Sequence, residues 1–82
     1  MKLEIITPEE VFFSGEVQLV TLPGTLGQFT LLDDHAPLVS SLRQGVISFR
    51  NEEGVTELNI ESGFAEVNKN LVVVCTELTA EK

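Results

Sequence analysis

Apolar side chains recur at every second position along short runs of this chain. Turn-forming residues separate the runs at intervals of about eight to twelve. No stretch long enough for a surface helix repeats its apolar residues at the helical spacing. The runs are Lys2–Thr7, ended by Thr7-Pro8; Val11–Phe13, stopped by Ser14-Gly15; Glu16–Leu22, stopped by Pro23-Gly24; and Gln28–Leu32. They continue with Leu38–Leu42, Val46–Arg50, Val55–Ile60, Gly63–Val67 after a turn at Glu61-Ser62, and Leu71–Glu77. Asn51-Glu52-Glu53-Gly54 and Asn68-Lys69-Asn70 have the composition of tight turns, because Gly and Asn accept a left-handed backbone. The pattern predicts an all-β chain: a β-sandwich or flattened barrel of about eight to ten short, mainly antiparallel strands.

Two runs alternate clearly. Ile47 and Phe49 are expected inside, with Ser48 and Arg50 outside; Thr56, Leu58 and Ile60 are expected inside, with Glu57 and Asn59 outside. Val17–Leu22, Leu31-Leu32 and Val72–Val74 are apolar on both faces. A small sandwich has no second layer to cover an outer face, so such strands point to a partner.

Composition sharpens this picture. The 82 residues allow one domain, spanning 1–82. With 43% hydrophobic residues and a mean hydropathy of +0.19 the chain is expected to fold, as a soluble domain with one modest core. Its net charge of −8 and its scattered cations, Lys2, Arg43, Arg50, Lys69 and Lys82, oppose binding to nucleic acid or to anionic lipid. From Val17 to Leu42 the only charges are Asp33 and Asp34, where ordinary surface would carry roughly five or six. Interface centres are depleted in charge, and so are cores; composition alone leaves both open. The longest uncharged stretch, Val17–Leu32, is broken by Pro23, Gly24 and Gly27 and cannot form a spanning helix. No secretory leader is visible, and the single Cys75 cannot form an internal disulfide, which together favour the cytoplasm.

Candidate chemistry is sparse. His35 is the lone histidine and has no nucleophile in a recognisable turn beside it. Asp33-Asp34-His35 are adjacent, and adjacent residues rarely converge on one ion, so no metal is expected. Cys75 sits among valines without a cation to stabilise a thiolate. Pro23-Gly24-Thr25-Leu26-Gly27 lacks the Lys-Ser/Thr of a phosphate loop. The inventory contains no catalytic group and calls for no cofactor; it is that of an interaction module.

Six segments in register carry a resemblance. They are Leu3-Glu4-Ile5-Ile6-Thr7-Pro8-Glu9, Phe13-Ser14-Gly15-Glu16-Val17, Pro23-Gly24-Thr25-Leu26-Gly27, His35-Ala36-Pro37-Leu38, Gly45-Val46-Ile47 and Gly63-Phe64-Ala65-Glu66-Val67, followed by the Val-rich last strand. The whole run resembles the N-terminal β-sandwich of the epsilon subunit of F-type ATP synthases. That resemblance implies a non-catalytic rotor subunit at the foot of the central stalk. It would bind the gamma subunit and the c-subunit ring and couple ion-driven rotation to ATP synthesis or hydrolysis. As part of that complex it would lie peripherally on the cytoplasmic side of the cell inner membrane, without inserting into it. The candidate gamma and ring surface is then Gln28, Phe29, Leu31, Asp33, Asp34, His35, Ala36, Pro37, Leu38 and Val39. The sequence departs from the family's habit at two places: Asp33-Asp34 precede His-Ala-Pro in place of Pro-Gly, and Gln28 stands where an acidic residue is common. The chain stops at Thr79-Ala80-Glu81-Lys82, where many members begin an inhibitory helical hairpin. The expectation is a chain complete without it. The competing expectation is a stand-alone β-barrel carrying a small apolar ligand, which requires an enclosed cavity.

Overall fold

The computed structural model describes residues 1–79. The end of the chain, including the expected hairpin start at Ala80-Glu81-Lys82, lies outside the described residues. Eight strands form: β1 (Lys2–Ile6), β2 (Val11–Glu16), β3 (Leu19–Gly24), β4 (Gly27–Leu31), β5 (Leu38–Leu42), β6 (Gly45–Asn51), β7 (Gly54–Asn68) and β8 (Leu71–Leu78). Among the described residues no helix is long and apolar enough to cross a membrane.

Hydrogen bonding is continuous from β2 through β1, β8, β7, β5 and β3 to β4, with β6 joining β3 to β7. The sheet nevertheless divides into two layers. One holds β2, β1, β8, the second half of β7, and β5; the other holds the first half of β7, β6, β3 and β4. All pairings are antiparallel except that of β1 with β8. The expected sandwich is thus present. Leu3, Ile5, Val20, Leu22, Leu31, Ile47, Phe49, Ile60, Val72 and Val74 fill its centre from both layers. Each such side chain contributes about 1.5–3 kcal/mol by leaving water. The Phe13 and Phe49 rings meet across the sandwich with centroids 4.4 Å apart.

Val55–Ile60 and Gly63–Val67 are not the two separate strands that the sequence predicts. They are one strand of 15 residues, β7, with a bulge between Ile60 and Ser62. One extra residue shifts the side-chain period by one. Before the bulge Leu58 and Ile60 point inward; after it Ala65 and Val67 do, leaving Phe64 and Glu66 outside. Gly63 is required where the bent strand touches β8. A Cβ there would overlap the Cys75 carbonyl oxygen and lie 2.9 Å from Thr76 Cβ. Thr76, the one buried polar residue among the described ones, donates its hydroxyl to the Ser62 carbonyl just after the bulge, so the buried hydroxyl is satisfied.

Three smaller corrections follow from pairing. β2 runs on through Gly15, over which the Phe13 ring lies, and the chain breaks instead at Val17-Gln18. β3 includes Pro23 and Gly24, because Pro23 needs no donor there and its carbonyl accepts from the Arg43 N–H at 2.9 Å. Thr56, expected inside, is exposed: it lies close to the Glu52-Glu53 turn, although its cross-strand partner Phe49 is buried. Ile47, Phe49, Leu58 and Ile60 take the expected sides.

Gly63→Ala is expected to lower the unfolding free energy by about 1–3 kcal/mol, the usual cost of overpacking a fixed site. Urea unfolding measures it as a lower midpoint at unchanged slope; an unchanged midpoint would mean that the bulge relaxes freely.

Candidate functional site

The ten residues expected at the partner surface occupy β4, the loop 32–37 and the start of β5. They do not form one patch. Leu31 is fully buried in the core and is removed from the surface: its side chain points between the layers, opposite Val20 on β3. Its neighbour Leu32, on the other parity, is exposed.

Asp33 and Asp34 face the end of the sandwich that carries the β6–β7 and β7–β8 turns. Asp33 Oδ1 accepts from the Met1 ammonium at 2.7 Å, and Glu16 Oε1 lies 3.4 Å from the same group. The ammonium also reaches the Val17 carbonyl at 3.3 Å, and the Val17 N–H donates to the Met1 carbonyl at 2.8 Å. Asp34 sits in the left-handed region with φ 65°. Its N–H donates to Asn70 Oδ1 at 2.8 Å, and Asn70 Nδ2 donates back to Asp34 Oδ1 at 3.2 Å. Both aspartates, expected as charges offered outward, therefore hold the loop to Met1 and to the β7–β8 turn. Among the described residues no group of three or more metal-ligating side chains converges.

The remaining members border an open cleft of about 550 Å³ on the other side of the loop. Its walls are the β3–β4 turn with Gln28 and Phe29, and His35 with Leu38–Ser41. His35 Nδ1 lies 2.7 Å from the Ala36 carbonyl; a carbonyl only accepts, so Nδ1 carries the proton. Ala36 and Pro37 are exposed beside it. Thr25 and Ser41 hydroxyls meet at 2.8 Å across the base of the cleft. Leu26 at the turn tip is 103% exposed and Val39 74%, while Leu38 and Phe29 pack partly against the core. The cleft thus combines apolar side chains, hydroxyls and one imidazole, with no carboxylate and no cation on its walls. This is chemistry for contact and not for group transfer.

A second apolar area was not legible beforehand. Register places Val11, Ile6, Cys75 and Phe64 in one row across β2, β1, β8 and β7 on the outer face. Phe64 is 52% exposed there. The alternation Gly63–Val67 could have placed Phe64 outside, but only strand pairing assembles the row.

The described family "ATP synthase, Delta/Epsilon chain, beta-sandwich domain" matches residues 1–82. The chain belongs to this family. It is 37% identical over 82 residues to the ATP synthase epsilon chain of Leptospira interrogans, covering 100% of this chain and 65% of that one. It is 40% identical over 77 residues to the ATP synthase epsilon chain of Chlorobium limicola, covering 93% and 88%. The chain therefore spans only 65% of the length of the Leptospira relatives. In solved structures it is similar to a chain of the Euglena gracilis mitochondrial ATP synthase, with a TM-score of 0.84 and 27% identity over 90% of this chain and 48% of that one.

In this epsilon-type sandwich the Met1 amine is held above its ordinary pKa of 8.0, foremost by the Asp33 hydrogen bond, against a smaller opposing effect of burial. A raised folded pKa contributes stability that is complete below about pH 8 and lost as pH rises through the folded value. Asp33→Asn is expected to remove that dependence. Denaturation of both forms at about pH 7 and about pH 10 tests it: their stability difference should shrink at the higher pH. An equal difference at both would mean that Asp33 acts through some other contact.

Proposed function

We propose that this chain acts as the epsilon-type, non-catalytic subunit of an ATP synthase central stalk. Its surface along β5 and the β3–β4 turn engages the gamma subunit, and its loop 32–37 lies toward the c-subunit ring. It joins the two, so that ion-driven rotation is transmitted to the catalytic head, on the cytoplasmic side of the membrane. Family membership supports the assembly. The observation that carries the contact is the cleft between Leu26 and Val39, an uncharged, open and partly apolar surface on a molecule of net charge −8.

Buried apolar residues from the two layers form one continuous cluster, and the largest clefts are open grooves at the surface. No observation favours an enclosed apolar ligand over this reading. Asp33 and Asp34 are still exposed enough to meet a basic group on the ring, but their internal bonds make their first role the placement of the loop.

Of the two β5 positions able to carry the contact, Val39 points outward and Leu38 toward the core. Val39→Asp is expected to weaken gamma binding by at least about tenfold, the loss that accompanies placing a charge in an apolar contact. The thermal midpoint of the isolated chain should change little. Calorimetric titration against gamma checks the first statement and thermal unfolding the second. Undiminished binding by the folded variant would remove this surface from the reading.

A further inference from the structure

β5 is paired with β7 along its length, but on its other edge it meets β3 only at Leu42↔Gly24. Two main-chain bonds define which way its groups point. The Arg43 N–H donates to the Pro23 carbonyl at 2.9 Å, and the Thr25 N–H donates to the Ser41 carbonyl at 3.1 Å. The N–H and C=O of a strand residue point to the same edge, and successive residues alternate edges. Residues 43 and 41 face β3; Val39 faces the same way. Leu38, Ser40 and Leu42 face β7. β3 has turned away at Thr25-Leu26, so among the described residues the Val39 N–H and C=O have no main-chain partner.

This edge is open in chemistry as well as in geometry. Natural edges are guarded by Lys, by inward charges, by Pro or by bulges. The β5 sequence Leu-Val-Ser-Ser-Leu has none of these, and the facing wall, Gly27, Gln28 and Phe29, carries no charge. Pro37, which lacks an N–H, closes the edge just before Val39.

We infer that the stalk partner proposed above docks on this edge by adding an extended segment to β5, exchanging main-chain hydrogen bonds with Val39 inside the cleft. The inference rests on the proposed function and specifies its contact. The segment's chemistry follows from the surroundings. Apolar side chains at alternate positions meet Leu26 and Val39. A Lys or Arg belongs on the flank, because Val39 lies opposite Glu66 on β7 and Asp34 precedes the cleft, both acidic.

Two measurements on the full 82-residue chain test this. In amide exchange followed by NMR, Val39 exchanges quickly in the free chain, whereas Ser40 is protected by β7. On adding purified gamma subunit, Val39 exchange is expected to slow by at least about a hundredfold, as for an amide drawn into a stable ladder. A complex that forms while Val39 stays unprotected overturns strand addition and leaves the functional reading standing. No binding of the wild-type chain to gamma overturns both.

The second measurement compares Val39→Pro with Val39→Ala. Both lose the valine side chain, but only proline loses the outward N–H, at an edge position where β7 pairing is untouched. Val39→Pro is expected to bind about tenfold more weakly than Val39→Ala, as for a lost main-chain bond plus a misplaced neighbour. Equal affinities overturn the inference. Should Val39→Pro fail to fold, the exchange measurement on the wild-type chain decides alone.

Discussion

The sandwich depends on one residue too many in β7. That strand, the longest, takes part in both layers: it pairs with β6 and then β5 on one side, and its second half pairs with β8 on the other. To serve both layers it must bend, and to keep apolar side chains inside after bending it must change parity. A bulge does both at once. With Ile60 inside, an unbulged strand would bury Phe64 and Glu66 and expose Ala65 and Val67. The bulge reverses this, and the space where β7 and β8 then crowd together is one that only Gly63 fits. The Thr76 hydroxyl, bonded to the Ser62 carbonyl, ties β8 to β7 directly after the bulge.

The same feature explains why the sequence predicts two strands where one runs. Alternation through Leu58 and Ile60, then again through Ala65 and Val67, with a break between, has one signature for a turn and for a bulge. Only the partner strands distinguish them, and they are distant in sequence. Local signals were reliable where the chemistry is local: Gly54, with φ 123°, and Asn70, with φ 64°, sit where tight turns were expected. Pro23 was misleading because a proline ends a strand only if its missing N–H was needed. The all-β class and the sandwich were legible because period-two alternation is a property of each strand by itself.

The candidate surface was legible in part, for a related reason. Charge depletion between Val17 and Leu42 does not distinguish a core from an interface, and the span turned out to supply both. Val17, Val20, Leu22, Leu31 and Leu42 are core; Leu26, Leu32 and Val39 are surface. The separation follows strand parity and turn position, so it became visible only with register. The outer row of Val11, Ile6, Cys75 and Phe64 is drawn from four strands, so alternation within one strand can place Phe64 outside but cannot assemble the row.

The aspartates give the loop its character. A loop of exposed residues beside an apolar cleft would ordinarily be mobile, and ordering it on contact would cost conformational entropy. Here Asp33 ties one side to Met1 and Asp34 ties the other to Asn70, so His35 and Pro37 lead into β5 from a fixed direction. An uncovered edge so presented invites pairing between copies of the chain itself. The net charge of −8 opposes that at every orientation, because two copies repel before their edges can meet. Long-range repulsion between like molecules thereby adds to the guard that Pro37 sets at the start of this edge, and it leaves Val39 free for an apolar segment with a basic flank.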